Sequence, residues 1–409
     1  MKIVIIGAGP AGFRAAEVLR QQSSKVEITL VGDEAHPPYN RPPLSKEFLT
    51  KGLAHEKLHL QPLSFYETQR ITLRLGKIAT RIDRAQKQVE LADGTRLSYD
   101  KLLLTMGCRG RRLPPALAKA QVHCLRGLAD AFAIRAELGP GRDLVLIGGG
   151  FVGLELAAAA AILGGRVTVL EAMPRLMTRT MPSAVGEFAR RLHEGHGVRF
   201  EFDARLKSIE PRPGGGVMVA TERGTYHGDV VVAGIGAQPN TELAAAAGLA
   251  VEDGIVVDAQ GRSSDPDIFA AGDVTRHLNP LLGRAIRVES WQVALNQAAA
   301  VAHAMLGATE EYSELPWLWT DQYDSNIQVL GLPTPELELI TRGDPNSNSF
   351  TMLGLDGEGR LACAITVNSG RDMSALRRLA ATRVRLPEEA LADPQKKLSD
   401  LARAALKPS

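Results

Sequence analysis

The sequence predicts an α/β protein of two doubly wound halves, followed by a C-terminal α+β domain. Three observations carry that reading. A short apolar strand breaks at Gly7-x-Gly9-x-x-Gly12, and a helix, a second strand and Asp33 follow. The same order recurs at Gly148-x-Gly150-x-x-Gly153 and ends at Glu171. Beyond Pro316 the pattern changes to alternating strands with few helical stretches.

In the first unit, residues 3–6 read as a strand, 11–21 as a helix and 26–31 as an alternating strand that ends in Gly32-Asp33. Gly7 permits the tight turn, Gly9 lets the backbone approach a pyrophosphate, and Gly12 lets the helix pack on the strand. The helix N-terminus turns its N–H groups toward the phosphates, and Asp33 stands where a ribose hydroxyl donates. A Rossmann-like dinucleotide-binding domain is the expectation.

Next comes HPPYNRPPLSKEFL, residues 36–49, whose four prolines exclude a helix until after Pro43. A helix is expected from about Leu44. In a chain of this organisation the stretch crosses a flavin ring, where Arg41 and Lys46 are cations on a stiff scaffold. A lysine there stabilises negative charge on a reduced ring or pairs with a carboxylate beside it. Disulfide reductases of similar organisation keep redox cysteines in this region, and this chain has none. Residues 71–75, 79–83 and 88–91 read as strands, with Asp93-Gly94 as a hairpin turn and 102–104 as a buried strand. Residues 109–115 read as a crossover linker and the first boundary.

In the second unit, 143–147 is a strand, a helix runs to Leu163, and 166–170 is the return strand. Glu171 lies 18 residues beyond Gly153, as expected of a ribose 2′-hydroxyl acceptor. A carboxylate there repels a 2′-phosphate and favours NADH over NADPH, although Arg166 and Arg175 lie nearby in sequence. Glu155, on the first turn of the helix, is either a surface residue favourable to the helix N-terminus or a partner for Lys46 near the nicotinamide. Strands follow at 198–202, 208–210, 217–221 and 229–232, and residues 233–240 form the second crossover.

The chain then returns to the first domain. A strand is expected at 255–257, and the apolar run 268–271 ends in Gly272-Asp273, a carboxylate suited to a cofactor's ribitol or pyrophosphate. Ser290 is placed to cap a helix through Met305, whose start near Trp291 favours negative charge on a reduced flavin. The expected segments are thus 1–111 and 235–315 for a FAD-binding domain, 112–234 for a NAD-binding domain and 316–409 for a separate α+β cap. In the cap, Trp317 and Trp319 read as core residues, strands are expected at 327–330, 337–341, 349–355 and 361–367, and helices at 374–382 and 400–406 with Ser399 as the second N-cap.

Composition narrows the function classes. A 409-residue chain with 44% apolar and 23% charged residues is ordinary for a globular protein. A net charge of +2 does not indicate nucleic-acid binding; Arg109, Arg111 and Arg112, and Arg371, Arg377 and Arg378, read as solvated faces. Cys108, Cys124 and Cys363 are too widely spaced for a disulfide framework and fit a reducing compartment. The apolar run before Gly7 is too short for a signal peptide, and no run is long enough to span a membrane. A cytoplasmic location is expected. The nine histidines show no metal-ligand spacing.

The two fingerprints, PPYNRPPLSKEFL, a strand ending in TMG, GIGAQPN, SDPDIFAAGD, VESWQVALNQA and PWLWTDQY together resemble the ferredoxin reductases of bacterial oxygenase systems. These are flavoproteins with a glutathione reductase-like fold, and the resemblance runs nearly end to end. The strand ends in Thr105-Met106-Gly107 where the family usually has ATG, and the departure at Met106 touches one local contact. The resemblance implies that Ala11, Asp33, Lys46, Ala79, Arg126, Asp273 and Trp291 contact FAD, and that Trp319 lies close to the flavin. Gly150, Val152 and Glu171 contact NADH, and Glu155 with Lys46 forms the family's charged pair. It also implies two-electron transfer from NADH to FAD and single-electron transfer to a docked [2Fe-2S] ferredoxin, in a monomer or homodimer. Two other readings share parts of the pattern: a rubredoxin reductase, and an NADH-sensing or NADH-oxidising flavoprotein like apoptosis-inducing factor.

Overall fold

In the computed structural model, which describes residues 1–405, the chain forms two units, each assembled from segments distant in sequence. One comprises Met1–Asn40, His55–Arg109 and Ala237–Pro316; the other takes Arg41–Ala54, Gly110–Gly236 and the chain from Trp317 onward. Arg41–Ala54, counted above with the FAD-binding segments, therefore groups with the second unit.

The first unit is built on β1 (Lys2–Ile6). It lies in a five-stranded parallel sheet between β2 (Glu27–Val31) and Lys101–Leu104, with Ile71–Arg74 and Ile268–Ala270 at the edges. The run is apolar without alternation because both faces of the sheet are covered. Ile3 and Ile5 pack with α1 (Pro10–Gln22) and the helix Trp291–Met305. Val4 and Ile6 pack on the other face with Ile82, Val89 and Leu91 from a three-stranded antiparallel sheet.

The second unit repeats the plan. β3 (Asp143–Ile147) lies between β4 (Arg166–Leu170) and Val230–Ala233, all parallel. Between β3 and β4 runs α2 (Phe151–Ile162), apolar nearly all round and buried from Gly153 to Ala160, as befits a core helix. α3 (Ser183–Gly195) follows. β5 (Trp317–Gln322) opens a five-stranded antiparallel sheet, in which Ser325–Gly331, Leu361–Val367, Phe350–Leu355 and Glu338–Arg342 succeed it. Ile327, Val329, Phe350 and Ile365 of this sheet share one core with Leu154 of α2 and with Val185 and Phe188 of α3. The C-terminal sheet exists as expected, and its apolar face is completed by α2 and α3.

Three local expectations change. Pro42–Ser45 is a 3-10 turn and Glu47–Thr50 a single helical turn, because proline suits the first position of a helix. The helices Leu128–Glu137 and α3 were not anticipated. Ser399 lies inside the helix Leu398–Ala405 instead of capping it, and Leu406, its expected last residue, is outside the described residues. No helix among the described residues is long and apolar enough to cross a membrane.

Arg342 ties the end of the chain to the sheet. It is 8% exposed, and its guanidinium donates to the carbonyls of Leu391 at 2.6 Å and of Asp393 and Lys396 at 2.7 Å. Arg342→Met keeps the stem but orphans these acceptors, and should lower the unfolding free energy by about 3 kcal/mol in urea titration. A loss under about 1 kcal/mol would show that the carbonyls find other donors.

Candidate functional site

The two fingerprints have the same steric design. Gly7 has φ +115° and Gly148 φ +102°, a region that glycine enters without strain. A Cβ on Gly7 would lie 2.3 Å from the Thr105 carbonyl oxygen, and one on Gly148 would lie 2.6 Å from that of Gly234. On Gly12 and Gly153 it would strike the Gly7 and Gly148 carbonyl oxygens at 2.0 and 2.4 Å. The middle glycines differ: around Gly9 nothing lies within 4 Å of that position, and around Gly150 only the Gly234 oxygen at 4.0 Å. Each turn thus keeps an open approach to a helix start that carries no side-chain cap, an arrangement suited to a diphosphate.

Acidic residues close both units. Asp33 is exposed just beyond β2. Glu171, just beyond β4, accepts from the Gly149 N–H at 2.7 Å and the Met173 N–H at 2.8 Å, so its carboxylate is fixed at the second turn. Val152 is exposed on the first turn of α2. The arginines near Glu171 in sequence are engaged elsewhere. Arg166 forms a two-pronged bond to Asp143 at the opposite end of β4, both arms 2.7 Å. Arg175 donates to the carbonyls of Leu176, Met181 and Thr178.

In the first unit, Asp273 follows Gly272, where a Cβ would lie 3.1 Å from that of Ala11; the fold therefore brings Asp273 and Ala11 together. The Gly272 N–H donates to Gln297 of the helix that Trp291 begins, and Ser290 caps that helix through the Val293 N–H. Ala79 opens the antiparallel strand Ala79–Asp83 and is half-buried.

The second unit holds a charged cluster. Lys46 sits at the joint between the 3-10 turn and the helical turn. Its Nζ is 3.2 Å from Glu155 Oε1 and 3.2 Å from Asp321 Oδ2, and 6.0 Å from the ring centre of Trp319. Trp319 stacks on Trp317 at 5.2 Å, and both are half-buried strand residues instead of core residues. Glu155 is 7% exposed and lies one turn further along α2 than expected. It also accepts from the Ser45 hydroxyl, and from the Thr320 hydroxyl at 2.6 Å. Arg41 donates to the Arg126 carbonyl at 2.9 Å, which joins two more expected residues. The pairing of Lys46 with Glu155 is therefore present, and the surface-helix alternative for Glu155 falls.

Burial pushes the Glu155 carboxyl above its ordinary range, opposed by Lys46 and the two hydroxyls. Burial alone would lower Lys46, but Glu155 and Asp321 outweigh it and raise the ammonium above the usual lysine value. One cation thus faces two carboxylates, and the second, Asp321, is 45% exposed and shares its charge with water. Sequence reasoning missed Ser45, Thr320 and Asp321, although the last two stand beside Trp319 in PWLWTDQY. The three cysteines are unbridged, and no group of metal-binding residues occurs among the described residues.

Comparison with known proteins agrees with this layout. The Pyridine nucleotide-disulphide oxidoreductase family matches residues 1–298, and the Reductase C-terminal family matches residues 317–402. The ferredoxin--NAD(+) reductase component of the anthranilate 1,2-dioxygenase system of Burkholderia cepacia is 48% identical, over 96% of this chain and 97% of that protein. Rhodocoxin reductase of Rhodococcus erythropolis is 42% identical, over 96% and 92%. Among solved structures, the covalent putidaredoxin reductase–putidaredoxin complex superposes with a TM-score of 0.94 at 35% identity, covering 100% of this chain and 99% of the other. The chain belongs to the pyridine nucleotide-disulphide oxidoreductase family and is an oxidoreductase, as the resemblance implied.

The cluster sets a pH dependence. A carboxyl held above its ordinary value stabilises the fold fully only below its unfolded pKa, and that contribution is lost as pH rises through the folded value. Lys46→Met removes the cation that limits the effect. The variant should lose about 3–5 kcal/mol near neutral pH and regain much of it as Glu155 takes a proton on acidification, read by chemical denaturation at several pH values. A loss that does not change with pH would mean that Glu155 does not carry it.

Proposed function

We propose that this enzyme passes electrons from NADH through FAD, one at a time, to a [2Fe-2S] ferredoxin that serves an oxygenase. The observation that carries the reading is the Lys46–Glu155–Asp321 cluster, whose lysine comes from a segment where no cysteine stands. The chain's end-to-end likeness to ferredoxin--NAD(+) reductase components supports it. FAD, when bound, accepts an electron pair from a nicotinamide and gives it up in single steps.

The first fingerprint fits the FAD diphosphate, because the space at Gly9 is open and Gly7 and Gly12 admit no side chain. Asp33 takes a ribose hydroxyl, and Ala11, Ala79, Asp273 and Trp291 are the remaining FAD residues we assign in that unit. The helix start at Trp291 favours negative charge. Of the second unit's residues, Arg41, Lys46, Arg126 and Trp319 are assigned to flavin binding. Lys46 is the cation for charge on the reduced ring, and Glu155 keeps that lysine protonated and oriented.

The second fingerprint, Gly148, Gly150 and Gly153, with Val152 and Glu171, is assigned to NADH. Glu171 has lone pairs left for ribose hydroxyls after its two backbone bonds. A 2′-phosphate would meet that carboxylate, with Arg166 and Arg175 already engaged. The preference for NADH follows. A ferredoxin partner docks transiently, guided by charge complementarity.

NADH-dependent cytochrome c reduction by the purified protein tests the reading. Turnover that is fast only with an added two-iron ferredoxin is expected. Equal rates with dioxygen or rubredoxin would turn the assignment to an oxidase or a rubredoxin reductase. Glu171→Ala should lower kcat/KM for NADH about tenfold, the worth of one or two charge-assisted hydrogen bonds, and should spare NADPH. An unchanged NADH:NADPH ratio would remove Glu171 from the ribose site.

A further inference from the structure

Behind Glu155 runs a line of polar side chains that the proposed chemistry leaves unused. The Thr320 hydroxyl donates to Glu155 Oε1 at 2.6 Å, and Gln322 Nε2 donates to Thr320 Oγ1 at 3.2 Å. Gln322 Oε1 lies 2.9 Å from His193 Nε2, and the Tyr323 hydroxyl lies 3.5 Å from His193 Nδ1. Thr320, Gln322 and His193 are each 1% exposed or less. The line is supplied by α3 and by β5 with the turn after it. It emerges where the Tyr323 ring stacks on His196 at 3.6 Å.

The direction of each bond follows from the next. An ionised carboxylate only accepts, so the single Thr320 proton points at Glu155. Gln322 must then turn its NH2 to Thr320 and its carbonyl to His193. That carbonyl needs a donor, so His193 carries its proton on Nε2, and Nδ1 is left to accept from Tyr323. Every bond thus runs one way, toward Glu155. Reversing one member sets two donors or two acceptors face to face in a buried site.

We propose that His193, as the Nε2–H tautomer, is a positioning residue that locks Gln322 and Thr320 so that the Thr320 proton holds the Glu155 carboxylate charged and aimed at Lys46. The inference rests on the reading of Glu155 and Lys46 as the tuning pair. The titratable and charged groups facing the line are Lys46 and Asp321 at one end and His196 and Tyr323 at the other. Burial pushes His193 down to about 4, so the ring is neutral near neutral pH and its bonds to Gln322 and Tyr323 choose the tautomer.

The decisive measurement is made on the wild-type holoprotein labelled with 15N-histidine. NMR should show His193, identified by its loss in His193→Gln, as the Nε2–H tautomer near neutral pH. The Nδ1–H tautomer, or a rapid average of both, overturns the proposal. In stopped-flow reduction by NADH, Gln322→Leu and His193→Leu should move the acid limb of the pH profile up by about one unit, a tenfold rise in proton affinity at Glu155. His193→Gln, whose amide places an N–H near Nε2, should restore the limb, whereas His193→Asn should not. If the leucine variants are folded by circular dichroism and the limb stays in place, the proposal fails; if they do not fold, the tautomer decides. Ferredoxin-dependent turnover of the wild type tests the functional reading separately, since the tautomer does not depend on which acceptor is used.

Discussion

The second unit is arranged around the cost of burying one carboxylate. Glu155 sits two residues beyond the last glycine of its fingerprint, on a helix whose other residues are all apolar or glycine. An ion of that kind in an apolar site costs several kcal/mol unless a countercharge and hydrogen bonds answer it. The answers come from far along the chain: Ser45 and Lys46 from one direction, Thr320 from the other. Three segments separated by more than a hundred residues are thereby held to one point. Arg41–Ala54 groups with this unit, and prolines at 42 and 43 keep Lys46 in place with little further loss of freedom.

The paired fingerprints show how little of such a turn is open to change. In both, the outer glycines are excluded from carrying side chains by carbonyl oxygens of their own unit, and the middle one is left clear. The two sites diverge in what closes them. Asp33 is exposed, whereas Glu171 is tied to backbone N–H groups on both sides. The Glu171 carboxylate is therefore held by its own backbone, and the engagement of Arg175 with backbone carbonyls belongs to the same loop.

What could be read in the sequence was local. Glycine spacing, the period of β1 and β3, and the Ser290 cap each depend on neighbours within a few residues, and they correspond closely to the structure. The Lys46–Glu155 pair was legible because a cation on a rigid proline scaffold and an acid after a fingerprint both call for explanation. Asp321, Thr320 and His193 carry no such local mark, since their partners are fixed by which face of β5 meets α2 and α3. α3 itself was readable: Val185, Phe188, Ala189 and Leu192 recur with helical spacing. The C-terminal strands were visible as alternation, but alternation does not say what covers the apolar face, and so the shared core stayed hidden.

Tyr323 stands at the first position of the two-residue turn joining Gln322 to Ser325, with φ +57°. An aromatic side chain is uncommon in that left-handed region, and holding it there costs about 1–3 kcal/mol. Glycine would form the hairpin with less strain but would remove the ring on His196 and the hydroxyl beside His193. Backbone strain and the side-chain contacts of Tyr323 thus ask for different residues at this one position. A stabilising campaign that relaxes every strained turn would here remove the outer end of that hydrogen-bonded line.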